Sequence, residues 1–197
     1  MAGKRDEIRQ ELTLRILKAA EKRIKNHGLE ALRARDITND AGCGLGTIYK
    51  CFSDLDDVII HVNSLTLARL KKHLNAAVKD ISTPLEVLKA LAIAYLDFAE
   101  RNHQLWTALF KHVLPEGQPI PEWHRLENED LLMRIERPVS ALEPELDQDA
   151  LAARSRTYFA AIHGIVTIAL EDRFIGLDKT VLRSEITHLV ERMAAPR

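Results

Sequence analysis

The chain has 197 residues, of which 46% are hydrophobic and 29% are charged. This composition is typical of a soluble globular protein with one domain, or with a small and a larger one. No apolar run reaches the roughly 18 residues that a membrane span needs. The first residues, MAGKRDEIRQE, lack the apolar region of a secretory signal. We therefore expect a cytoplasmic protein without a membrane partner.

Charge is unevenly distributed along the chain. The residues through Phe52 include 11 Lys and Arg against 7 Asp and Glu, which gives a net charge of +4. The remaining residues have a net charge of −5, so the whole chain has a net charge of −1. Regions that bind nucleic acid are usually basic. The asymmetry therefore favours a DNA-binding N-terminal segment on an acidic body.

The first predicted helix runs from about Asp6 to His27, and Gly28 ends it. Its apolar residues recur at helical spacing: they are Ile8, Leu12, Ile16, Ala19, Ala20 and Ile24. Three basic residues, Arg5, Arg9 and Arg15, lie toward its start. Two interpretations of these arginines remain open, a solvated charged face or contacts to DNA phosphates.

The stretch RDITNDAGCGLGTIYKCF, residues 35–52, is typical of a helix-turn-helix. Ile37 and Ala41 form the apolar edge of a first short helix, and Gly42 follows as a C-terminal stop. A second short helix begins at about Leu45, with Ile48 and Phe52 on its inner edge. On or near its outer face are Thr47, Tyr49, Lys50 and Cys51. A threonine, a tyrosine and a lysine on an exposed short helix suit contacts to phosphates and base edges.

Residues 16–59, ILKAAEKRIKNHGLEALRARDITNDAGCGLGTIYKCFSDLDDVI, resemble the DNA-binding head of the tetracycline-repressor (TetR) family of transcriptional regulators. The matching features, in order, are Ile16–Leu17, Ala19–Ala20, Gly28, Arg35–Asp36–Ile37, Ala41–Gly42, Gly46, Tyr49 and Phe52. The resemblance covers about a quarter of the chain. It implies a DNA-binding helix-turn-helix at about residues 33–52, a small-molecule pocket in the C-terminal domain, and dimerisation.

In the family, residues around the second short helix contact the operator. With the flanking cations, the candidate DNA contacts are Arg33, Arg35, Leu45, Gly46, Thr47, Tyr49, Lys50 and Cys51. The chain departs from the family pattern at several places: Arg33 and Gly44 stand where Ser or Thr often caps a helix, Leu45 and Leu55 where cations are common, and Cys51 where Tyr or His is common. Fewer phosphate contacts flatten the salt dependence of binding, so we expect an operator particular to this chain.

Two other interpretations apply to this region. The glycines of Gly42–Thr47 could cradle a phosphate, but that loop needs a preceding strand and, for a Walker A motif, a Gly-Lys-Ser/Thr ending, and the sequence has neither. Cys43 and Cys51 would be roughly 10 Å or more apart, too far for a disulfide. We expect two free thiols, and a redox role for Cys51 is the alternative.

Six further helical segments are predicted after this region, and no stretch alternates as a strand does. A long helix from Asp56 to about Ile81 carries the apolar stripe Leu67, Leu70, Leu74, Val78 and Ile81. It would link the two domains as a lever. Thr83 and Pro84 begin the next helix, which breaks near Arg101–Asn102. Helix resumes over 103–113 and from Trp123 to about Arg137, where Pro138 should kink or end it, after a loop at 115–121.

The last predicted helices, at about 149–175 and over the C-terminal residues, have more apolar surface than one chain needs. Two adjacent rows occur in the first of them: Tyr158, Ile162, Ile165 and Ala169, and Phe159, Val166, Leu170 and Phe174. The final helix has a coiled-coil-like seam. We predict a four-helix interface between two chains formed by Tyr158, Ile162, Ile165, Leu182, Ile186, Leu189 and Met193. A purely intrachain core is the alternative.

Aromatic residues are concentrated in the middle of the C-terminal part, and helical bundles can enclose ligand sites. The candidate pocket residues are Tyr95, Phe98, Trp106, Phe110, Trp123, Tyr158, Phe159 and His163, with core packing as the alternative for each. Residues 156–164 also resemble a Trp-x-x-x-His-Gly pattern of one branch of the TetR family, with Phe159 at the Trp position. A satisfied buried histidine is the alternative for His163.

No enzyme, cofactor or metal site is predicted. His103, His112, His124 and His163 are scattered, and no Ser, Cys or carboxylate stands with them at nucleophile–base or metal-ligand spacing. The sequence thus predicts an all-α protein, with a three-helix helix-turn-helix domain at 1–52 and a helical ligand-binding and dimerisation domain at 53–197. Its expected function is that of a ligand-responsive homodimeric repressor that reads an inverted-repeat operator. A helical dimer acting through protein contacts without specific DNA binding is the alternative.

Overall fold

The computed structural model describes residues 3–171 and 176–195. Within these ranges the secondary structure is entirely helical, which confirms the predicted fold class. The helices in chain order are α1 (Lys4–His27), α2 (Ala34–Asp40), α3 (Leu45–Cys51), α4 (Leu55–Val78), α5 (Pro84–Arg101), α6 (His103–Lys111), α7 (Glu122–Leu142), α8 (Gln148–Leu170) and α9 (Lys179–Met193).

The chain divides into two compact units. Unit 1 comprises Met1–Ala68 and Asn102–His124, and unit 2 comprises Arg69–Arg101 and Arg125–Arg197. This division does not coincide with the sequence division at residue 52, because α6 and the first part of α4 belong to unit 1.

The core of unit 1 joins α1 to the two short helices and to α6. Its buried residues from four helices include Ile16, Ala20, Ile24, Ile37, Ile48, Leu105 and Ala108. Gly28 ends α1 as predicted, with φ of 78° and its N–H donating to the carbonyl of Ile24 over 2.9 Å. A left-handed φ of this kind favours glycine at a helix end.

The start of α4 follows directly on α3 and is closed by side chains. The N–H of Asp57 donates to Oδ1 of Asp54 over 2.7 Å, and the N–H of Ser53 donates to Oδ2 of Asp57 over 2.9 Å. Such bonds satisfy the free N–H groups of a helix N-terminus. His112, at the end of α6, lies 2.8 Å from Oδ1 of Asp56. The His112–Asp56 contact joins α6 to the start of α4 within unit 1.

The core of unit 2 is formed chiefly by α5, α8 and α9. Leu88, Leu91, Tyr95 and Phe98 of α5 are buried, as are Tyr158, Ile162 and Val166 of α8 and Leu182, Ile186 and Val190 of α9. Pro84 is the first residue of α5, as predicted. Asp147 and Asp178 cap α8 and α9, each accepting a backbone N–H over 2.8 Å.

The sequence predicts that Pro138 ends or kinks its helix, and the prediction that the helix ends there is wrong. Helix α7 continues through Pro138 to Leu142. Pro138 and Val139 are both buried. Although proline removes one helical hydrogen bond, burial of these two residues in unit 2 offsets that loss, which a local rule does not anticipate.

Candidate DNA-binding interface and effector region

Helix α2 is the first helix of the predicted helix-turn-helix and has seven residues. Ile37 and Ala41 are buried, as the sequence pattern indicated. Gly42 has φ of 64°, and its N–H donates to the carbonyl of Asn39 over 3.1 Å. The N–H of Cys43 donates to the carbonyl of Thr38 over 2.9 Å. This paired arrangement is a Schellman motif, which reverses the chain between α2 and α3.

Helix α3 presents a surface that is free for another molecule. Ile48 is 1% exposed and anchors the helix in the core of unit 1, whereas Leu45 and Tyr49 are 44% and 58% exposed. Lys50 is exposed as well. A Cβ added at Gly46 would meet nothing within 4 Å. The side chains on this face can therefore approach a partner without any rearrangement of the core.

Three other predicted DNA contacts have different surroundings. Cys51 is half-buried and packs against the core of unit 1, as Cys43 does, so the prediction that Cys51 lies on the outer face is corrected. Thr47 is half-buried. Nη1 of Arg33 donates to the carbonyls of Glu30 and Leu32 over 2.7 and 2.8 Å, which holds this guanidinium against its own loop. Arg35 remains exposed.

Two arginines of α1 contact α2, and the sequence pattern did not assign them this role. Nε and Nη2 of Arg23 donate to both carboxylate oxygens of Asp40, over 2.7 and 2.9 Å. The Asp40 bond raises the pKa of Arg23, and the guanidinium lowers the pKa of Asp40. Nη2 of Arg15 donates to the carbonyls of Ala41 and Gly42. Their partners are 17 to 27 residues away, which no local spacing reveals.

The predicted pocket residues are divided between the two units. Tyr95, Phe98, Tyr158, Phe159 and His163 belong to unit 2, and Trp106, Phe110 and Trp123 belong to unit 1. In unit 1, Trp106 and Phe110 have ring centroids 5.5 Å apart, and the Trp123 ring lies 5.0 Å from that of His61. A cleft of about 390 Å³ in unit 1 is lined by other residues, namely His27, Gly28, Leu29, Glu30, Gln104, Thr107 and Lys111.

His163 is the polar centre of an aromatic group in unit 2. Its Nδ1 lies 2.8 Å from the hydroxyl of Tyr95, and its Nε2 lies 3.3 Å from Oγ1 of Thr167. Phe159 stacks on the imidazole with ring centroids 5.4 Å apart. Burial lowers the pKa of His163, which favours the neutral ring. Both ring nitrogens therefore have a partner within the chain.

The residues predicted to face a second chain fall into two groups. Tyr158, Ile162, Leu182 and Ile186 are at most 6% exposed in the single chain, so they belong to its own core. This corrects their assignment to an intermolecular seam. Ile165, Leu189 and Met193 are half-buried and retain surface. Phe174, which completed one predicted row, lies outside the described residues.

A family model for the tetracyclin repressor-like C-terminal domain matches residues 88–193, more than half of the chain. The chain belongs to the tetracycline-repressor-like family. Comparison with curated proteins gives no match. Among the residues described, no group of His, Cys, Asp and Glu is arranged to hold a metal ion, and none of the described helices is long and apolar enough to cross a membrane.

Solved structures show how far the TetR-like fold extends along the chain. A protein of unknown function from Rhodococcus sp. RHA1 has a TM-score of 0.74 and 21% identity, covering 93% of each chain. FadR from Bacillus subtilis, in complex with stearoyl-CoA, has a TM-score of 0.70 and 16% identity, covering 90% of this chain and 96% of its own. A TetR-family protein from Vibrio parahaemolyticus has a TM-score of 0.67 and 22% identity, covering 91% and 97%.

The family match covers the body of the chain, and the N-terminal helices form the helix-turn-helix described above. Membership of this family, together with the helix-turn-helix, supports the role of a DNA-binding transcriptional regulator. Regulators of this family bind DNA and small-molecule effectors as dimers, and they are generally not enzymes.

Proposed function

We propose that this TetR-like regulator is a cytoplasmic homodimeric repressor that places α3 of each subunit in a major groove of an inverted-repeat operator. The observation that carries the proposal is the division of α3 into two faces. Ile48 is buried, while Leu45, Tyr49 and Lys50 are exposed and Gly46 leaves open space. A recognition helix needs this division, since its outer side chains must reach base edges.

The charges around α3 suit a limited number of phosphate contacts. Lys50 and Arg35 are exposed, whereas Arg33, Arg23 and Arg15 bind groups of their own chain. Each phosphate neutralised contributes about 0.9 to the slope of log affinity against log salt concentration. A protein with few free cations at the interface should therefore show a shallow slope, with more of its selectivity from Tyr49 and Leu45.

Support for dimerisation comes from one face of α8. A Cβ at Gly164 would meet nothing within 4 Å, and Ala161, Ile165 and Ile168 beside it are half-buried. Residues at these spacings share a helix face. The same face of a second copy could pack closely here because a glycine lets two helices approach. We propose this face in place of the interface predicted from the sequence, because Tyr158, Ile162, Leu182 and Ile186 of that interface are buried within the single chain.

An effector would release the operator by binding the free and DNA-bound conformations with unequal affinity. The Tyr95–Phe159–His163 group of unit 2 supports an aromatic effector region with a polar centre. Stearoyl-CoA is a suitable first probe, because FadR from Bacillus subtilis, which has this fold, holds that molecule.

The test measures binding of the purified protein to its own upstream intergenic DNA and to a scrambled duplex, across a salt series. We expect selective binding that Tyr49→Ala weakens about tenfold or more, in line with the 1–3 kcal/mol of a base contact. Lys50→Ala should instead reduce the salt slope by about 0.9 per protomer. Lys72→Ala and Val113→Ala are controls, since both residues are exposed outside α2 and α3.

The DNA-binding measurements can contradict the proposal, and the stearoyl-CoA measurement tests one effector. Absence of selective binding at every salt concentration would exclude an operator in that DNA and favour action through protein contacts. Equal losses of DNA affinity in Tyr49→Ala and Val113→Ala would show that α3 does not contact the bases. Addition of stearoyl-CoA that leaves binding unchanged would exclude this acyl thioester as the effector.

A further inference from the structure

Helix α2 is too short to be stable alone, and its end determines where α3 begins. It has seven residues, of which Ile37 and Thr38 are buried. Isolated helices below about 12 residues are marginal in water, so α2 depends on contacts from elsewhere in the chain. Only Ala41–Gly44 separates α2 from α3. Any contact that immobilises this turn also orients the exposed face of α3.

The backbone of the turn leaves carbonyl groups without helical partners. The Schellman bonds from Gly42 and Cys43 satisfy the carbonyls of Asn39 and Thr38. The carbonyls of Ala41 and Gly42 lie beyond these bonds, at the negative end of the helix dipole. A cation with several N–H donors is the group that best complements this end.

Arg15 supplies that cation. Its Nη2 donates to the carbonyl of Ala41 and, over 3.1 Å, to the carbonyl of Gly42. Both acceptors are backbone atoms of the turn, so the guanidinium fixes the path of the chain and not merely one side chain. Arg23, two turns along the same helix, holds Asp36 and Asp40 on the flank of α2. Together the arginines fix the body and the end of α2.

Gly42 and Arg15 are sterically matched. A Cβ at Gly42 would lie 3.0 Å from Nη2 of Arg15, and φ of 64° at this residue already disfavours any side chain. The glycine therefore serves two purposes, since it allows the left-handed turn and leaves room for the guanidinium. A substitution there disturbs both the backbone and the arginine contact.

We propose that Arg15 is a positioning residue that orients the recognition helix by fixing the α2–α3 turn, and that it is not a phosphate contact. This inference rests on the proposed reading of DNA through α3. Arg15 is exposed, but both groups that its Nη2 contacts are the carbonyls of Ala41 and Gly42, so in this proposal it acts on α3 through the turn. Its loss would let α3 sample other orientations while the core of unit 1 stays folded.

The first experiment compares Arg15→Ala, Arg15→Lys and the control Lys18→Ala, an exposed cation of the same helix. Affinities for the operator and for a scrambled duplex are measured across a salt series. We expect Arg15→Ala to lose about tenfold in operator affinity, as for one charged hydrogen bond, with scrambled-duplex affinity and salt slope unchanged. Arg15→Lys should recover part of the loss. Lys18→Ala should behave as wild type.

A phosphate contact would give a different result. The salt slope would fall by about 0.9 per protomer, and affinity for both duplexes would decrease together. That outcome would overturn the proposal. So would full operator affinity in Arg15→Ala.

A second experiment needs no DNA. Hydrogen exchange of the Cys43 amide, which is bonded to the carbonyl of Thr38, should be faster in Arg15→Ala than in wild type or Lys18→Ala. Gly42→Ala should destabilise the protein less in the Arg15→Ala background than in wild type, because one clash is absent. The positioning role would be overturned if exchange of the Cys43 amide is unchanged in Arg15→Ala and the effects of Gly42→Ala and Arg15→Ala on stability are additive. If exchange changes but wild type binds no DNA selectively, the proposed function fails and the turn contact stands.

Discussion

The sequence predicts that both α3 and α9 bind another molecule, but the two helices differ in how much of the predicted surface is exposed in the structure. In α3, Tyr49 is 58% exposed, and one buried residue, Ile48, holds the helix in place. In α9, Leu182 and Ile186 are 1% and 0% exposed in the single chain. The first part of the apolar row of α9 is therefore covered by its own chain, mainly by α5 and α8, whereas Leu189 and Met193 are only half-buried.

The difference follows from helix length and pattern. A seven-residue helix has two turns, so one or two anchors leave most of its surface exposed whatever the rest of the fold does. A 15-residue helix with a continuous apolar row must bury that row, but the row does not specify what covers it. A polar outer face is thus a stronger indication of a binding surface than an apolar row.

The largest effect that tests this contrast is expected at Ile186. Ile186→Glu should destabilise unit 2 by more than about 4 kcal/mol, because it places an unpaired carboxylate in a fully buried site. Leu189→Glu, at a half-buried position three residues away, should leave the chain folded. Circular dichroism and denaturant unfolding measure the difference. Equal stability of the two variants would mean that the α9 row is not an intrachain core.

The same pair also addresses assembly, with Ile165→Glu as a third variant. Ile165 lies beside the open position at Gly164. If this face of α8 joins two copies, Ile165→Glu should yield a folded monomer in sedimentation or light scattering. A folded Ile165→Glu dimer would exclude this face and leave Leu189 and Met193 as the remaining predicted contacts.

A smaller effect is expected at Gly46 on α3. Since nothing lies within 4 Å of an added Cβ, Gly46→Ala should stabilise the free protein by about 0.5–1 kcal/mol through helix propensity. Operator affinity should nevertheless fall, because the methyl group prevents close approach of the helix to the groove. Thermal unfolding and operator binding of the same sample measure the two changes. Higher stability with undiminished affinity would show that Gly46 is not at the interface.

The smallest effect concerns pH and the polar centre of unit 2. Burial lowers the folded pKa of His163 below its ordinary value of 6.5, so the unfolded chain binds the proton first as pH falls. The contribution of the neutral His163 to the free energy of unfolding is therefore fully present above about pH 6.5. It is lost as the pH falls through the folded pKa of His163. Unfolding midpoints from pH 7.5 to 5 should therefore decrease less in His163→Gln than in wild type. His188→Gln, at a side chain 65% exposed, is the control.

Much of the fold follows from local patterns. Gly28, Pro84 and the break at Asn102 mark helix ends that the structure confirms. These signals act through φ preferences and missing N–H groups, which are properties of one or two residues. The exposure of Tyr49 and Lys50 on α3 is also predicted locally, because Ile48 and Phe52 at i and i+4 mark the inner edge of the helix.

Other features of the candidate site depend on residues that are distant in sequence. Arg33 looks like a free cation in the sequence, yet its guanidinium is held by Glu30 and Leu32. The Cys51 thiol is turned toward the core. Local composition shows which groups can donate or be buried, but not which acceptor or neighbour the fold brings to them.

Local chemistry along the chain thus determines the helices, their ends and the exposed side chains of the short helix α3, because these depend on neighbours within a few residues. The tertiary structure alone decides which cations are free and which apolar rows are covered. Arg15 meets Ala41 across 26 residues, and Arg183 of α9 meets Asp97 of α5 across 86. Such pairings arise when helices pack, since packing selects among many possible partners that the spacing of residues leaves equivalent.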